Sequence, residues 1–574
     1  MAGRPHSGGV TTRPLLLFLL LLACGSHDAA EPPLRPAPGT FAVRGARVFD
    51  GERAIGIADV LVEGGRIAAV GRGLSIPAGV PVVDGRGKTL LPGLIDSHVH
   101  AFGDARRDAL RFGVTTELDM FSDWHGLAAA RAQRASLDPT AEADLWSAGT
   151  LATAAGGHGT QFGVSVPTLS RPDQAEAWVA ARVAEGSDWI KIVREDGSAY
   201  GAGGIPTLDA RTAAALVAAA HAHELLAVMH VSTLAAAREG LAAGVDGFAH
   251  VFHDRLADDD FVALARQRGA FVVPTLVLFS GEGRANAQTS VRRLHTAGVV
   301  ILAGTDAPNV GTRHGASLHD ELERLVEAGL QPDQALAAAT SRPAAVFRLG
   351  DRGRIARGMR ADLMLVDGDP LREIRATRSI ARIWKNGAPV DRTPPAPAPE
   401  PARAATPRIA ASPVSDFEAG TAASRVGHGW EASSDAVMKG ASTAAIRPVA
   451  PGAGGSKGAL EVSGRVERGF IFPFAGATLF PGAQPMAPAD LSGLRELVFR
   501  VKGDGQTYRV VVISREMRGM PPSQEFVAGP DWREVRLRLD GFAGADLTAV
   551  GGLSFSAGPA TGRFRFLLDD VQFE

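Results

Sequence analysis

Eight short apolar runs separated by alanine-rich helical stretches constrain the middle of this chain more than any other feature. They are LIDSHVH, TTELDM, LWSAGTL, WIKIV, LLAVMH, GFAHV, FVVPTLV and VILAGTD, between residues 94 and 306. Strands that alternate with helices pair in parallel, because each helix carries the chain back to the same edge. Eight such units close into an α/β fold, a (β/α)8 TIM-like barrel, expected over residues 91–350. The flanks read differently. FAVRGARVFDGERA and DVLVEGGRIAAV before the barrel, and GRIARGMRADLMLVDGD and RIWKNGAPV after it, alternate apolar and polar residues with glycine at the turns. Residues 40–90 and 351–392 are therefore expected to form one composite small β-sandwich.

A chain of 574 residues exceeds a single core, and the clearest break is TPPAPAPEPARAATPRIAAS at 393–412, whose prolines favour an extended spacer. Beyond it, LRELVFRVKGDG, QTYRVVVIS, WREVRLRLDGF and FRFLLDDVQFE alternate with period two. Val535, Leu537 and Leu539 oppose Arg536 and Arg538, the pattern of half-buried strands. Residues 413–574 are expected to be an all-β jelly roll. At the other end, Arg4 and Arg13 precede the apolar run Leu15 to Ala23, which is too short to span a bilayer and has the pattern of a secretory signal. It ends at Cys24, the only cysteine, so no internal disulfide framework is available. A hydrophobic fraction of 45% and a net charge of -2 leave no footprint for a nucleic-acid partner.

The strand ends carry the residues of chemical interest. His98 and His100 are two apart on one strand and share a face. Lys191, between Ile190 and Ile192, points opposite to both, into the barrel, where burial lowers an ammonium's pKa. A neutral amine can react with carbon dioxide to give a carbamate whose oxygens bridge two metals; the competing reading is a salt bridge to Glu195 or Asp196. His230 and His250 end their strands as imidazoles suited to zinc. Asp306 closes VILAGTD as a metal ligand that also serves as general base and then general acid. Each alone reads more readily as a structural residue, and it is their shared placement at strand ends that favours a metal site.

These motifs carry a resemblance. LPGLIDSHVH, WIKIV, LLAVMH, GFAH, AGTDAP and GRIARGMRADLMLVDGDP, from Phe41 to Arg392, resemble the amidohydrolase superfamily in its binuclear, prolidase-like or imidazolonepropionase-like branch. The resemblance implies two divalent metal ions, zinc by preference. His98 and His100 would hold the inner ion with Asp306, His230 and His250 the outer one, and N-carboxylated Lys191 would bridge them. It implies a hydrolase that cleaves an amide or peptide-like carbon–nitrogen bond in a small molecule, such as a dipeptide or N-acyl amino acid, through a metal-activated hydroxide. His158, in Gly-Gly-His-Gly, resembles a substrate-side histidine that would steady the carbonyl oxygen as charge develops. Arg194 and Tyr200 are candidates for a substrate carboxylate, and His314 is a further pocket candidate. The tail from Val414 to Glu574 resembles the complex I intermediate-associated protein family, a galactose-binding-like fold, through SDFEAG, GPDWREVRLRLDGF and LLDDVQFE. It implies a carbohydrate or protein ligand.

Leu21-Leu22-Ala23-Cys24 resembles a bacterial lipobox, which implies lipidation of Cys24 and a tether over 25–39. The protein is expected to be exported and lipid-anchored at the cell envelope, on the periplasmic face or at the outer membrane, touching the membrane only through that anchor. Two alternatives stay open: a mononuclear deaminase of the same superfamily, and a non-catalytic anchored binding protein that uses its C-terminal sandwich.

Overall fold

The computed structural model describes residues 37–574 apart from 161–165, 201–203, 310, 395–405, 439, 468–472 and 515–520. The signal segment 1–24 with Cys24, the tether up to residue 36 and most of the 393–412 spacer lie outside the described residues.

Five strands precede the barrel: β1 (Phe41–Phe49), β2 (Ala54–Glu63), β3 (Arg66–Gly71), β4 (Val82–Asp84) and β5 (Lys88–Pro92). The barrel strands are β6 (Leu94–Val99), β7 (Val114–Asp119), β8 (Asp144–Ser147), β9 (Ile190–Arg194), β10 (Ala227–Val231), β11 (Gly247–Ala249), β12 (Phe271–Val273) and β13 (Val300–Ile301). Three more follow: β14 (Leu363–Asp367), β15 (Ile380–Lys385) and β16 (Ala388–Pro389). β6 to β8 pair in parallel, as do β9 to β13. Parallel bridges Ala152↔Ile192 and Val99↔Ala307 join the two sets on both sides and close the eight-stranded ring.

Parity along the strands decides what faces inward. Trp189, Val228, Phe271 and Val273 belong to one buried cluster, whereas Ile190, Ile192, Met229, Val231 and Val272 belong to another that includes the surrounding helices. Successive residues on a strand face opposite ways, so the first cluster fills the barrel and the second seals it against the helix layer. Lys191, two residues after Trp189, and His230, two after Val228, fall on the interior face.

The flanking strands form one sheet in the order β16-β15-β14-β5-β1-β2-β3, with β4 on β1. Its seam is antiparallel pairing of β5 with β14, from Lys88↔Asp367 to Pro92↔Leu363. The sheet encloses its own core, in which Phe41 stacks on Trp384 at 4.7 Å among Val43, Val60 and Leu363. A buried ionic clasp ties it to the barrel. Lys385 Nζ, fully buried on β15, donates to Asp144 Oδ2 on β8 at 2.7 Å and to Asp362 Oδ2 at 2.8 Å. Arg352 Nε also donates to Asp144, and the Arg134 and Arg352 guanidinium groups lie 4.4 and 4.6 Å from the Trp146 ring centre.

Another buried polar group makes the barrel unit sensitive to acid. His319, on the helix Ala316–Glu327, donates from Nε2 to the Phe112 carbonyl at 2.9 Å, and its Nδ1 lies 3.0 Å from the Thr377 hydroxyl. Burial lowers its pKa to about 4. The unfolded chain therefore takes up this proton first as pH falls. The histidine's contribution is complete above pH ~6.5 and is lost progressively down to about pH 4, by about 3 kcal/mol in all. We expect His319→Gln to flatten the stability profile over that interval in denaturant titrations; a wild-type profile with the same slope as the variant refutes the assignment.

The C-terminal unit is all β. Its strands are β17 (Ser412–Ser415), β18 (Gly429–Ser434), β19 (Thr443–Val449), β20 (Ala459–Val466), β21 (Ala475–Phe480), β22 (Glu496–Gly503), β23 (Thr507–Ser514), β24 (Ser523–Val527), β25 (Arg533–Arg538), β26 (Val550–Ala557) and β27 (Gly562–Phe573). They make two antiparallel sheets, β19-β20-β27-β22-β25 with β17 on β27, and β18-β21-β26-β23-β24. Phe499, Tyr508, Phe526, Phe555 and Phe566 interlock in their shared core. Val535 and Leu537 are buried while Arg536 and Arg538 are exposed, as the period-two pattern predicts.

Candidate metal centre

At the C-terminal ends of the barrel strands, four imidazoles, two carboxylates and a lysine are buried close together. His98 Nε2 lies 3.2 Å and His100 Nε2 2.9 Å from Asp306 Oδ1, and His250 Nε2 lies 3.7 Å from Asp306 Oδ2. Ligand atoms of His98, His100 and Asp306 fall within 4.8 Å of one another, a spacing that can hold one ion. The His250 ring is 4.6 Å from both His98 and His230, and His158 sits 4.8 Å from His230. Lys191 is 2% exposed on the neighbouring strand β9. The structure thus brings together all six residues proposed as ligands, with His158 at their edge.

The surroundings fix the rings. The Phe121 carbonyl is 3.1 Å from His100 Nδ1, and the Thr275 hydroxyl is 2.7 Å from His250 Nδ1. The outward nitrogens of His100 and His250 are thereby occupied and their inward ones turned to the centre, as metal-ligating histidines require. Asp96 accepts from Thr305 N–H at 3.0 Å and Thr305 hydroxyl at 2.7 Å, locking β6 to the loop that carries Asp306. Three residues of the site, His250 (φ 79°), Thr275 (φ 51°) and Asp306 (φ 56°), occupy the left-handed region that non-glycine residues seldom adopt. Such conformations persist where the surroundings over-determine them, typically at functional sites.

Electrostatics follow from burial. It lowers His98 to about 3, with the Lys191 charge adding to the effect, and lowers His158 to about 3, with His230 adding. His250 is driven well below its usual value by burial and by His230 and His98. These rings are neutral at physiological pH and keep a lone pair for a cation. Burial alone would raise Asp306, but His98, His100 and His250 together hold it well below the ordinary carboxylate range. Burial brings Lys191 down to about 7 against the pull of Asp306 and Asp119, so a neutral amine is accessible. Both nitrogens of His98 and Oδ1 of Asp306 are buried without a hydrogen-bond partner. Neutral imidazoles, an ionised carboxylate and orphaned donor atoms fit a divalent cation well.

Two sequence candidates are placed elsewhere. Arg194 is turned out of the barrel and ion-pairs with Glu239 while donating to the Leu208 carbonyl, so it is not positioned to meet a substrate carboxylate in the pocket. His314 is buried behind the site, its Nδ1 2.7 Å from Glu117 Oε1. Burial opposes its protonation, but that hydrogen bond raises its pKa. Tyr200 remains near the pocket, within the field of Glu195 and Asp306, with its ring 5.1 Å from that of His253, which in turn lies 4.8 Å from Phe279. These three form an aromatic wall that the sequence did not reveal.

Glu195, also buried here, carries a contact that the sequence reading does not anticipate. The sequence makes it a partner for Lys191, whereas its Oε2 is 3.3 Å from His230 Nε2. Continuing the parity of Trp189, Lys191 and Val193 by one step would have placed it in the pocket.

The model of the family described as Complex I intermediate-associated protein 30 (CIA30) matches residues 416–548. The imidazolonepropionase of Salinispora tropica is 28% identical over 358 residues, covering 55% of this chain and 88% of that protein. That of Anaeromyxobacter dehalogenans is 31% identical, covering 54% and 83%. In fold the chain is similar to a Xaa-Pro dipeptidase crystallised with methionine in its active site, with a TM-score of 0.53 and 22% identity over 61% of this chain and 100% of that one. The model of the amidohydrolase family matches residues 89–391, more than half of the 574, and the chain belongs to that family of metal-dependent hydrolases of carbon–nitrogen bonds.

Proposed function

We propose that the chain hydrolyses an amide or peptide-like bond in a small molecule, such as a dipeptide or an N-acyl amino acid. The observation that carries this reading is the convergence of the His98, His100 and His250 Nε2 atoms on one buried carboxylate, Asp306, beside a buried lysine. His98, His100 and Asp306 would hold an inner ion, His230 and His250 an outer one, and N-carboxylated Lys191 would join them. Bound there, two divalent ions, zinc by the nature of the donors, would supply a water that ionises near neutral pH and a Lewis acid for the carbonyl. Asp306 accepts the proton of the attacking water at its carboxylate and delivers it to the leaving nitrogen. His158, kept neutral, donates a hydrogen bond to the carbonyl oxygen as charge builds there. With Arg194 turned away, recognition falls to the wall of Tyr200, His253 and Phe279, which suits an apolar or aromatic acyl group or side chain.

The test is elemental analysis of the protein beginning after Cys24, beside Lys191→Ala, both purified in bicarbonate-containing buffer. About two ions per chain, falling in the variant with loss of amide hydrolysis, is the expected result. One ion in both would remove the bridging role of Lys191 and favour mononuclear deamination. An export signal and a lipid anchor at Cys24 complete the proposal, with the C-terminal sandwich presenting a surface for a carbohydrate or protein. Cys24→Ser should move the protein from the membrane fraction to the soluble fraction; unchanged fractionation would refute the anchor.

A further inference from the structure

A neutral imidazole carries one hydrogen, and it can bind a cation only through the nitrogen that lacks it. For His250, just after β11, the atom that decides between the two nitrogens lies on another strand end. The Thr275 hydroxyl, fully buried beyond β12, is 2.7 Å from His250 Nδ1. The same hydroxyl is 2.8 Å from the Pro274 carbonyl, which can only accept a hydrogen bond. Its single hydrogen goes to that carbonyl, and its lone pair is left to receive Nδ1–H of His250. On the other side of the ring, Asp306 Oδ2 is 3.7 Å from Nε2, outside hydrogen-bond reach. We propose that Thr275 is a positioning residue whose hydroxyl keeps the His250 hydrogen on Nδ1 and leaves Nε2 with a lone pair for a cation. The inference rests on His250 being a metal ligand, as proposed above, and adds a residue outside the set of six.

The backbone shows that this hydroxyl is held in place at a cost. Thr275 has φ 51° and ψ 46°, left-handed values at which a β-branched residue is an outlier and glycine or asparagine sits more easily. Neither of those residues carries a hydroxyl. The conformation is enforced from both sides of the turn. Glu321, fully buried on the helix Ala316–Glu327, accepts from the Val277 N–H at 2.9 Å, and the Leu278 N–H donates to the Thr275 carbonyl at 3.1 Å. A strained residue so tightly determined by its neighbours is the pattern of a side chain required where it stands. His100 obtains the same result without strain, because its Nδ1 faces the Phe121 carbonyl, again a group that can only accept. Thr275 thus does for His250, through a side chain, what the backbone does for His100.

The experiment compares wild type, Thr275→Ser, Thr275→Val, Thr275→Gly and His250→Gln in the chain beginning after Cys24. Zinc affinity is measured by competition with a chelator. Nitrogen–proton correlation spectra of the metal-free protein, labelled at histidine, show which ring nitrogen carries the hydrogen, with His250→Gln identifying the His250 signal. In the wild type and in Thr275→Ser the hydrogen should sit on Nδ1, and their zinc affinities should agree within about threefold. Thr275→Val keeps the shape of the side chain without an acceptor; its His250 hydrogen should shift toward Nε2 and its zinc affinity fall about 10–100-fold. Thr275→Gly should lose as much, although its backbone is relieved. A hydrogen on Nε2 in the wild type, or wild-type affinity in Thr275→Val beside weakened binding in His250→Gln, overturns the proposal and leaves His250 standing as a ligand. Thr275→Ser as weak as Thr275→Val reduces the residue to packing and overturns it too. Unchanged zinc affinity in His250→Gln overturns both the proposal and the ligand assignment. If Thr275→Val fails to fold, the wild-type spectrum and Thr275→Gly decide.

Discussion

Asp306→Asn should lower kcat by about 10³–10⁴-fold while leaving a folded protein. Asparagine preserves the size of the side chain and is among the residues best suited to a backbone with φ near 56°, so the local conformation is kept. What it removes is the group that accepts a proton from water and returns it to nitrogen. It also removes the negative charge facing His98, His100 and His250, so binding of the inner ion should weaken too. Rates across a pH series, with metal content measured on the same samples, separate the two effects. If metal is restored by excess zinc and kcat recovers to within tenfold of wild type, Asp306 is a ligand only and the proton carrier lies elsewhere.

Lys385→Met should destabilise the catalytic unit by about 3–5 kcal/mol. The ammonium is fully buried between Asp144 and Asp362, and its removal leaves those carboxylates with only part of their compensating charge. Arg352 still reaches Asp144, so the loss should fall short of complete collapse. The double variant Lys385→Met/Asp144→Leu should recover part of the stability, because it removes an unpaired charge together with its partner. Denaturant unfolding followed by tryptophan fluorescence reads the effect, since Trp146 and Trp384 belong to this region. Strict additivity of the two single substitutions would show that the clasp is not an interacting unit.

What could be read from the sequence was set by parity and position. Strand runs and the residues that end them were legible because a barrel directs its strand ends to one face, and this places His98, His230 and Asp306 within reach of each other. The same parity, applied one residue further, separates Arg194 from Glu195: Lys191 and Glu195 fall inside, and Arg194 falls outside against Glu239. By that rule Arg194 does not face the pocket, contrary to the expectation that it binds a substrate carboxylate. Other features had no local signal. His314 lies in an irregular loop, and nothing in GTRHG indicates that it folds under β7 to meet Glu117. Lys385 and Asp144 are 241 residues apart, and their pairing appears only when the small sheet docks on the barrel. The aromatic wall likewise assembles from three separate loops.

The seam between β5 and β14 joins strands that are distant in the chain, with Lys88 bonded to Asp367 across 279 residues. A polypeptide that emerges amino end first presents β1 to β5 long before β14 to β16 exist, and their edge waits without its natural neighbour while the whole barrel is synthesised. Contacts of such long range slow folding. The catalytic unit is therefore completed late and nearly all at once, when the residues up to about 389 are available. Shortened chains that stop inside the barrel should expose an unpaired β5 edge and be cleared or aggregate.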